Sequence, residues 1–163
     1  MKKLLTLTIM LLVLTGIASA QSNPKYLAAG GGFSDKGFAW GALGIPLTED
    51  GKVISYSLWD FTPTDSIDNA SFKVGNKAIK LTTTTGAAYN MLTLSPKLTV
   101  WGMGAAGLST TGDFNSAAFK YGGFLNYKAS SSFGIMVGVG GQWDSLNKTS
   151  LDLRTGVNFY IGK

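Results

Sequence analysis

Few side chains in this chain can do chemistry, and six of them form the candidate set: Asp60, Lys80, Lys120, Asp144, Asp152 and Arg154. Lys80, Lys120, Asp152 and Arg154 alternate with large apolar residues, in rows otherwise made of Gly, Thr, Asn and Gln, while Asp60 and Asp144 stand at the ends of neighbouring segments. Carboxylates and cations that leave water together must pair. The expectation is therefore an interior ion-pair network joining Asp152 or Asp144 to Arg154 or Lys120. Such a network serves as a structural plug or as part of an ion path or ligand site, and the plug is the preferred reading.

Catalysis has little to work with. The chain has no His and no Cys, which removes the usual general base, the thiolate nucleophile and the commonest metal ligands. A Ser without a positioned base is a poor nucleophile. The Gly30-Gly31-Gly32 run has no following helix or Lys-Ser/Thr pair, so it is no phosphate cradle. No catalytic, cofactor or metal site is expected.

The elements that would position these charges are strands. From Leu151 to Ile161, alternate residues read Leu151, Leu153, Thr155, Val157, Phe159 and Ile161, with Asp152, Arg154, Gly156, Asn158 and Tyr160 between them. Strand side chains alternate between faces, so one face is apolar and the other polar or narrow. A helix would scatter Asp152, Arg154 and Asn158 around its girth. The pattern recurs upstream. Ile79, Leu81, Ala87, Tyr89 and Met91 oppose Lys80, Thr82, Thr84, Gly86 and Asn90. Phe119, Tyr121, Leu125 and Tyr127 oppose Lys120, Gly122, Phe124 and Asn126. Ile135, Val137, Val139 and Trp143 oppose Gly134, Met136, Gly138, Gly140 and Gln142. With 25–34, 37–45, 52–61 and 98–109 these make eight strands. In the third, Ile54, Tyr56 and Leu58 oppose Ser55 and Ser57; the fifth is apolar on both faces.

Ahead of the strands, Lys2 and Lys3 precede an apolar run that ends at Ala18-Ser19-Ala20. A positive start, an apolar middle and a small-x-small end describe a secretory signal peptide. The run is short of the roughly 20 residues of a spanning helix. Residues 1–20 are read as a cleaved leader and 21–163 as one domain. The formal charge of +5 falls to +3 without Lys2 and Lys3. The cations are spread thinly along the chain, which argues against a nucleic-acid partner.

Two architectures accept an eight-stranded meander: a soluble calyx with an apolar interior, or a membrane barrel turned inside out. A soluble barrel needs Lys and Glu in its outward row, and the row opposite the bulky residues is largely Gly. Eight strands leave an interior just wide enough for side chains. Gly, amides and the charged residues are therefore assigned to the interior and the apolar rows to lipid. Closure then satisfies every backbone group where water is absent. From an inner N-terminus the turns at 46–51, 93–97 and 129–132 lie on one side. The longer connections at 61–77, 110–116 and 144–150 lie on the other, as in outer-membrane barrels; the tight turn at 34–37 is the exception. Trp143, Tyr121 and Phe119 mark an outer aromatic girdle, and Tyr127, Phe133, Phe159 and Tyr89 an inner one.

On these residues the chain resembles the small eight-stranded outer-membrane barrels of Gram-negative bacteria, the OmpA/OmpX-like group. The resemblance implies an all-β fold: a closed antiparallel up-and-down transmembrane β-barrel of eight strands in the outer membrane. The sharpest motif is the family's assembly signal, polar-x-Gly-x-x-hydrophobic-x-hydrophobic. Arg154, Gly156, Phe159 and Ile161 fill its positions. The resemblance implies that the barrel-assembly machinery reads this octet. Family members usually finish on an aromatic residue, whereas this chain adds Gly162 and Lys163. The known barrel enzymes of that membrane use a His, so the expected role is non-enzymatic: envelope integrity or interaction through surface loops. The expected surroundings are outer-membrane lipid and lipopolysaccharide, and the expected state is a monomer. The competing reading is a soluble periplasmic or secreted lipocalin-like barrel that binds a small apolar ligand.

Overall fold

The computed structural model describes residues 25–34, 36–64, 73–74, 77–111, 115–145 and 148–161. The leader 1–20 and the terminal Gly162 and Lys163 lie outside them. Among the described residues nine strands follow in order: β1 (Lys25–Phe33), β2 (Gly37–Pro46), β3 (Val53–Thr64), β4 (Lys73–Val74), β5 (Lys77–Ser95), β6 (Leu98–Thr110), β7 (Asn115–Lys128), β8 (Phe133–Asp144) and β9 (Lys148–Ile161). Eight of them close a barrel. Each pairs antiparallel with its sequence neighbours, and β1 pairs with β9 to complete the ring. The two-residue β4 extends the outer β3–β5 hairpin through Lys73↔Ala78 and Val74↔Lys77. This hairpin shortens the long connection expected at 61–77, because β3 runs on to Thr64.

Local chemistry sets the turns. Pro46 ends β2, where the lack of an N–H is harmless. In the following turn Gly51 has a φ of 65°, the left-handed region that only Gly adopts without strain. The Thr48 carbonyl accepts from the Gly51 amide at 3.0 Å. Asp50 Oδ1 accepts from the Lys52 amide at 3.0 Å and from the Thr48 hydroxyl at 2.7 Å. At the next inner turn Ser95 Oγ accepts from the amides of Lys97 and Leu98. Register shifts between Asn90 and Leu92 and between Thr93 and Ser95 kink the inner end of β5.

The outward face is apolar over most of the wall. Leu125, Ile135, Val137, Val139, Leu151 and Leu153 are all exposed. Phe119 and Trp143 touch near one rim (ring centroids 5.4 Å apart), and Phe133 and Phe159 near the other (5.9 Å). The inward rows of β5, β7, β8 and β9 are the ones expected.

The third strand overturns the expectation that every apolar row faces out. Tyr56 and Leu58 are buried in the interior, and Ile54 packs with them. Ser55 and Ser57 therefore take the outward side, where the Ser57 and Thr85 hydroxyls meet at 3.4 Å. The interior is accordingly not reserved for small and polar groups, since Phe38, Trp40, Tyr56, Trp101 and Met136 form a buried cluster there. The reason is volume. Glycines on one strand leave room that aromatic rings from another strand fill. A Cβ on Gly156 would run into the Trp40 indole, and one on Gly138 would sit 3.0 Å from Phe124 Cβ. Trp40 Nε1 then donates to the carbonyls of Gly31 and Thr155, at 3.1 and 3.2 Å, tying β2 across β1 to β9.

Candidate functional site

The interior divides into a polar layer towards the outer end and an apolar layer towards the inner end. Register creates the polar layer. Lys120 lies beside Gln142, Arg154 beside Gly138 and Gly32, and Asp152 beside Gly140. The space beside two of these glycines is taken by aromatic side chains, Phe38 over Gly32 and Phe124 beside Gly138.

Asp60 is the hub of this layer. Arg154, on β9, grips it bidentately: Nη1 donates to Oδ1 at 2.8 Å and Nη2 to Oδ2 at 3.0 Å. Lys120, on β7, donates to the same carboxylate from another part of the wall. Arg154 Nη2 also donates to Asp152 Oδ2 at 2.6 Å, and Lys120 Nζ stands 3.6 Å from that oxygen. Gln142 Oε1 accepts from Lys120 at 2.6 Å. The guanidinium lies 4.8 Å from the Phe38 ring centroid, with its face covered. All four charged residues are buried. Two carboxylates and two cations leave the group formally neutral, which is how charge survives removal from water.

A second polar group stands beside the first. Lys80 Nζ lies 3.7 Å from Asp144 Oδ2, and the Ser116 hydroxyl donates to Asp144 Oδ1 at 2.8 Å. The Thr82 and Ser109 hydroxyls share a bond of 2.7 Å. All six charged candidates thus line the lumen, in two adjoining pairings. Asp144 is held by Lys80 and Ser116. Asp60, read from the sequence as standing at the end of its segment, is the centre of the larger group, because β3 runs on to Thr64. Gln142, Ser116, Thr82 and Ser109 were not among the candidates. Each lies on an inward row, yet only the cross-strand register reveals which charge it faces.

Below the polar layer the lining is apolar: Trp40, Ile54, Leu58, Trp101, Met103 and Met136 surround a cavity of about 80 Å³. Its floor is a cluster of neutral polar groups. Asn158 Nδ2 donates to Asn126 Oδ1 at 2.7 Å, and Asn126 Nδ2 donates to the Tyr160 hydroxyl at 3.0 Å.

The four residues of the assembly octet divide between the two sides of the wall. Arg154 is in the ion-pair group and Gly156 lies beneath Trp40. Phe159 and Ile161 are exposed on the outer surface. Chemically, the arrangement binds charge to charge. Asp60 and Asp152 are each engaged by a cation, so neither is poised as a general base. Among the described residues no group of three or more acidic, His or Cys side chains could hold a metal ion.

No family model matches the chain, and no curated protein matches it in sequence. Solved structures do match its fold. The N-terminal β-barrel domain of Pseudomonas aeruginosa OprF aligns over 85% of this chain and 98% of its own, with a TM-score of 0.63 and 18% identity. A major outer membrane protein of Thermus thermophilus aligns over 86% and 100%, with a TM-score of 0.63 and 11% identity. The outer membrane protein Ail of Yersinia pestis, in a phospholipid bilayer nanodisc, aligns over 86% and 100%, with a TM-score of 0.56 and 9% identity. The fold is that of the eight-stranded outer-membrane β-barrels.

Proposed function

We propose that this chain is a non-enzymatic, monomeric barrel of the Gram-negative outer membrane that contributes to envelope integrity, with its outer connections as the surface for contacts. The reading takes residues 1–20 as the export signal and the octet from Arg154 to Ile161 as the segment read by the barrel-assembly machinery. Outer-membrane lipid and lipopolysaccharide would surround the wall. The observation that carries it is the pairing of an apolar outward face over most of the wall with a neutral ion-pair group inside. In a soluble calyx, Leu125, Val137, Val139, Leu151 and Leu153 would stand in water, a far larger apolar patch than soluble monomers tolerate. The soluble reading is disfavoured on that ground.

The test is fractionation of cells expressing the full chain, followed by electrophoresis with and without prior heating. The reading predicts that the protein is extracted only with detergent and that heating shifts its mobility, as a closed barrel opens. Release by osmotic shock, with no heat-dependent shift, would contradict it. Replacing Phe159 and Ile161 by Ala should reduce the heat-shifting form in cells yet leave refolding of the purified chain in micelles intact. Equal loss in both settings would remove the assembly role from the octet.

A further inference from the structure

The apolar chamber in the inner half of the barrel contains a polar atom that the fold leaves unused. Tyr56 is 93% buried, since only 7% of it is accessible, and its ring lines the cavity. Its hydroxyl has no hydrogen-bond partner among the described residues. A buried hydroxyl without a partner is costly, and natural interiors rarely leave one so. Of the other polar groups of the chamber wall, Arg154, Asn126 and Asn158 are already engaged, and the Tyr26 phenol lines the wall as well. Arg154 is bound to Asp60 and Asp152, Asn158 to Asn126, and Asn126 to Tyr160. A water molecule needs two to four polar partners, and with Arg154, Asn126 and Asn158 already engaged the chamber around Tyr56 offers few.

We propose that this chamber is a binding site for a small neutral molecule of low polarity carrying one hydrogen-bond acceptor, which the Tyr56 hydroxyl engages. The volume of about 80 Å³ is roughly half that of a cavity known to accept benzene. It suits a short ketone or alcohol smaller than benzene. Trp101 and Phe124, both lining the cavity, stack with ring centroids 6.0 Å apart and planes 2° from parallel. Met103 and Met136, both lining the cavity, are flexible and polarisable and can adjust to the shape of an occupant. The route in is the inner end, where the floor is made of neutral amides and a phenol; the outer end is closed by charges. The proposal stands on the interior alone and is independent of the membrane in which the barrel sits, so its failure leaves the functional reading untouched.

The methionines supply the test. Met103 and Met136 line the chamber, while Met91 is 64% exposed on the outer surface. The protein is labelled at the methionine methyl groups, placed in lipid nanodiscs and titrated with 2-butanone, with NMR as the readout. The Met103 and Met136 signals should shift and saturate, while Met91 drifts linearly as the probe partitions into lipid. Tyr56→Phe should weaken saturation by the ketone roughly tenfold and leave 2-methyl-1-butene, the same shape without the oxygen, unaffected. Ala88→Leu, which fills the chamber from a buried wall position, should abolish saturation by both. The proposal is overturned if Met103 and Met136 drift linearly with Met91. Unchanged ketone saturation in Tyr56→Phe would overturn it too, as would strong magnetisation transfer from water to the two interior methyls.

Discussion

At the scale of single residues, the interior charges are bound by neutrality rather than by solvent. Replacing Arg154 with Ala leaves Asp60 and Asp152 to share Lys120 in a buried setting. Removing one partner of such a group costs about 3–5 kcal/mol, and urea unfolding of the barrel in lipid vesicles is the measurement. The double change Asp60→Leu with Arg154→Met removes one charge of each sign and leaves Lys120 with Asp152. It should cost less than Arg154→Ala alone, because an apolar pair of similar volume can replace a buried ion pair. A different charge, Asp50 in the exposed turn after β2, responds to pH. The Lys52 backbone amide, followed by the Thr48 hydroxyl, holds its carboxyl below the ordinary aspartate range. A lowered folded value means that these bonds are fully present above the unfolded pKa and are lost as pH falls through the folded one. The midpoint of the pH titration followed at the Lys52 amide resonance should therefore lie below the ordinary aspartate value of about 3.9. A midpoint at or above that value would show that the carboxylate is not held by the turn.

At the scale of elements, the seam between β1 and β9 depends on a close approach. Trp40 lies over Gly156, and a Cβ there would also come within 2.5 Å of the Ala29 carbonyl. Gly156→Val should prevent the indole from seating and its two hydrogen bonds from forming. The expected result is a marked fall in the fraction of heat-shifting barrel recovered on refolding, and an unchanged fraction would mean that the seam tolerates a side chain. The octet that carries this glycine was legible because β9 alternates cleanly from Leu151 to Ile161. The inward rows of β5, β7 and β8 could be read for the same reason. β3 could not be read this way. Ile54, Tyr56 and Leu58 form an apolar row in any reading, and no property of the strand itself says whether that row meets lipid or a lumen. The answer lies in distant residues: Tyr56 and Leu58 cluster with Phe38, Trp40, Trp101 and Met136 from other strands, and Trp40 itself is seated in the space that Gly156 leaves. Asp60 illustrates the same limit, for its parity is obvious but its partners, on β7 and β9, lie far away along the chain. The strand ends were less legible: β5 runs to Ser95 through two irregularities in its pairing, and β9 starts at Lys148.

For the molecule as a whole, the account rests on two opposite surfaces of one wall. Bulky apolar residues face outward over most of the circumference. The lumen holds ion pairs at one end and a packed aromatic cluster at the other. The four tryptophans divide between these surfaces. Trp40 and Trp101 are buried inside, Trp143 is exposed outside, and Trp59 takes the outward side between the inward Leu58 and Asp60. The most direct measurement is tryptophan fluorescence of the barrel in vesicles of brominated phospholipid, whose heavy atoms quench rings in contact with the acyl chains. The variant W40F/W101F keeps only the outward pair and should be strongly quenched. The variant W59F/W143F keeps only the lumenal pair and should retain nearly the emission it has in unbrominated lipid. Strong quenching of Trp40 and Trp101, or protection of Trp59 and Trp143, would contradict the account.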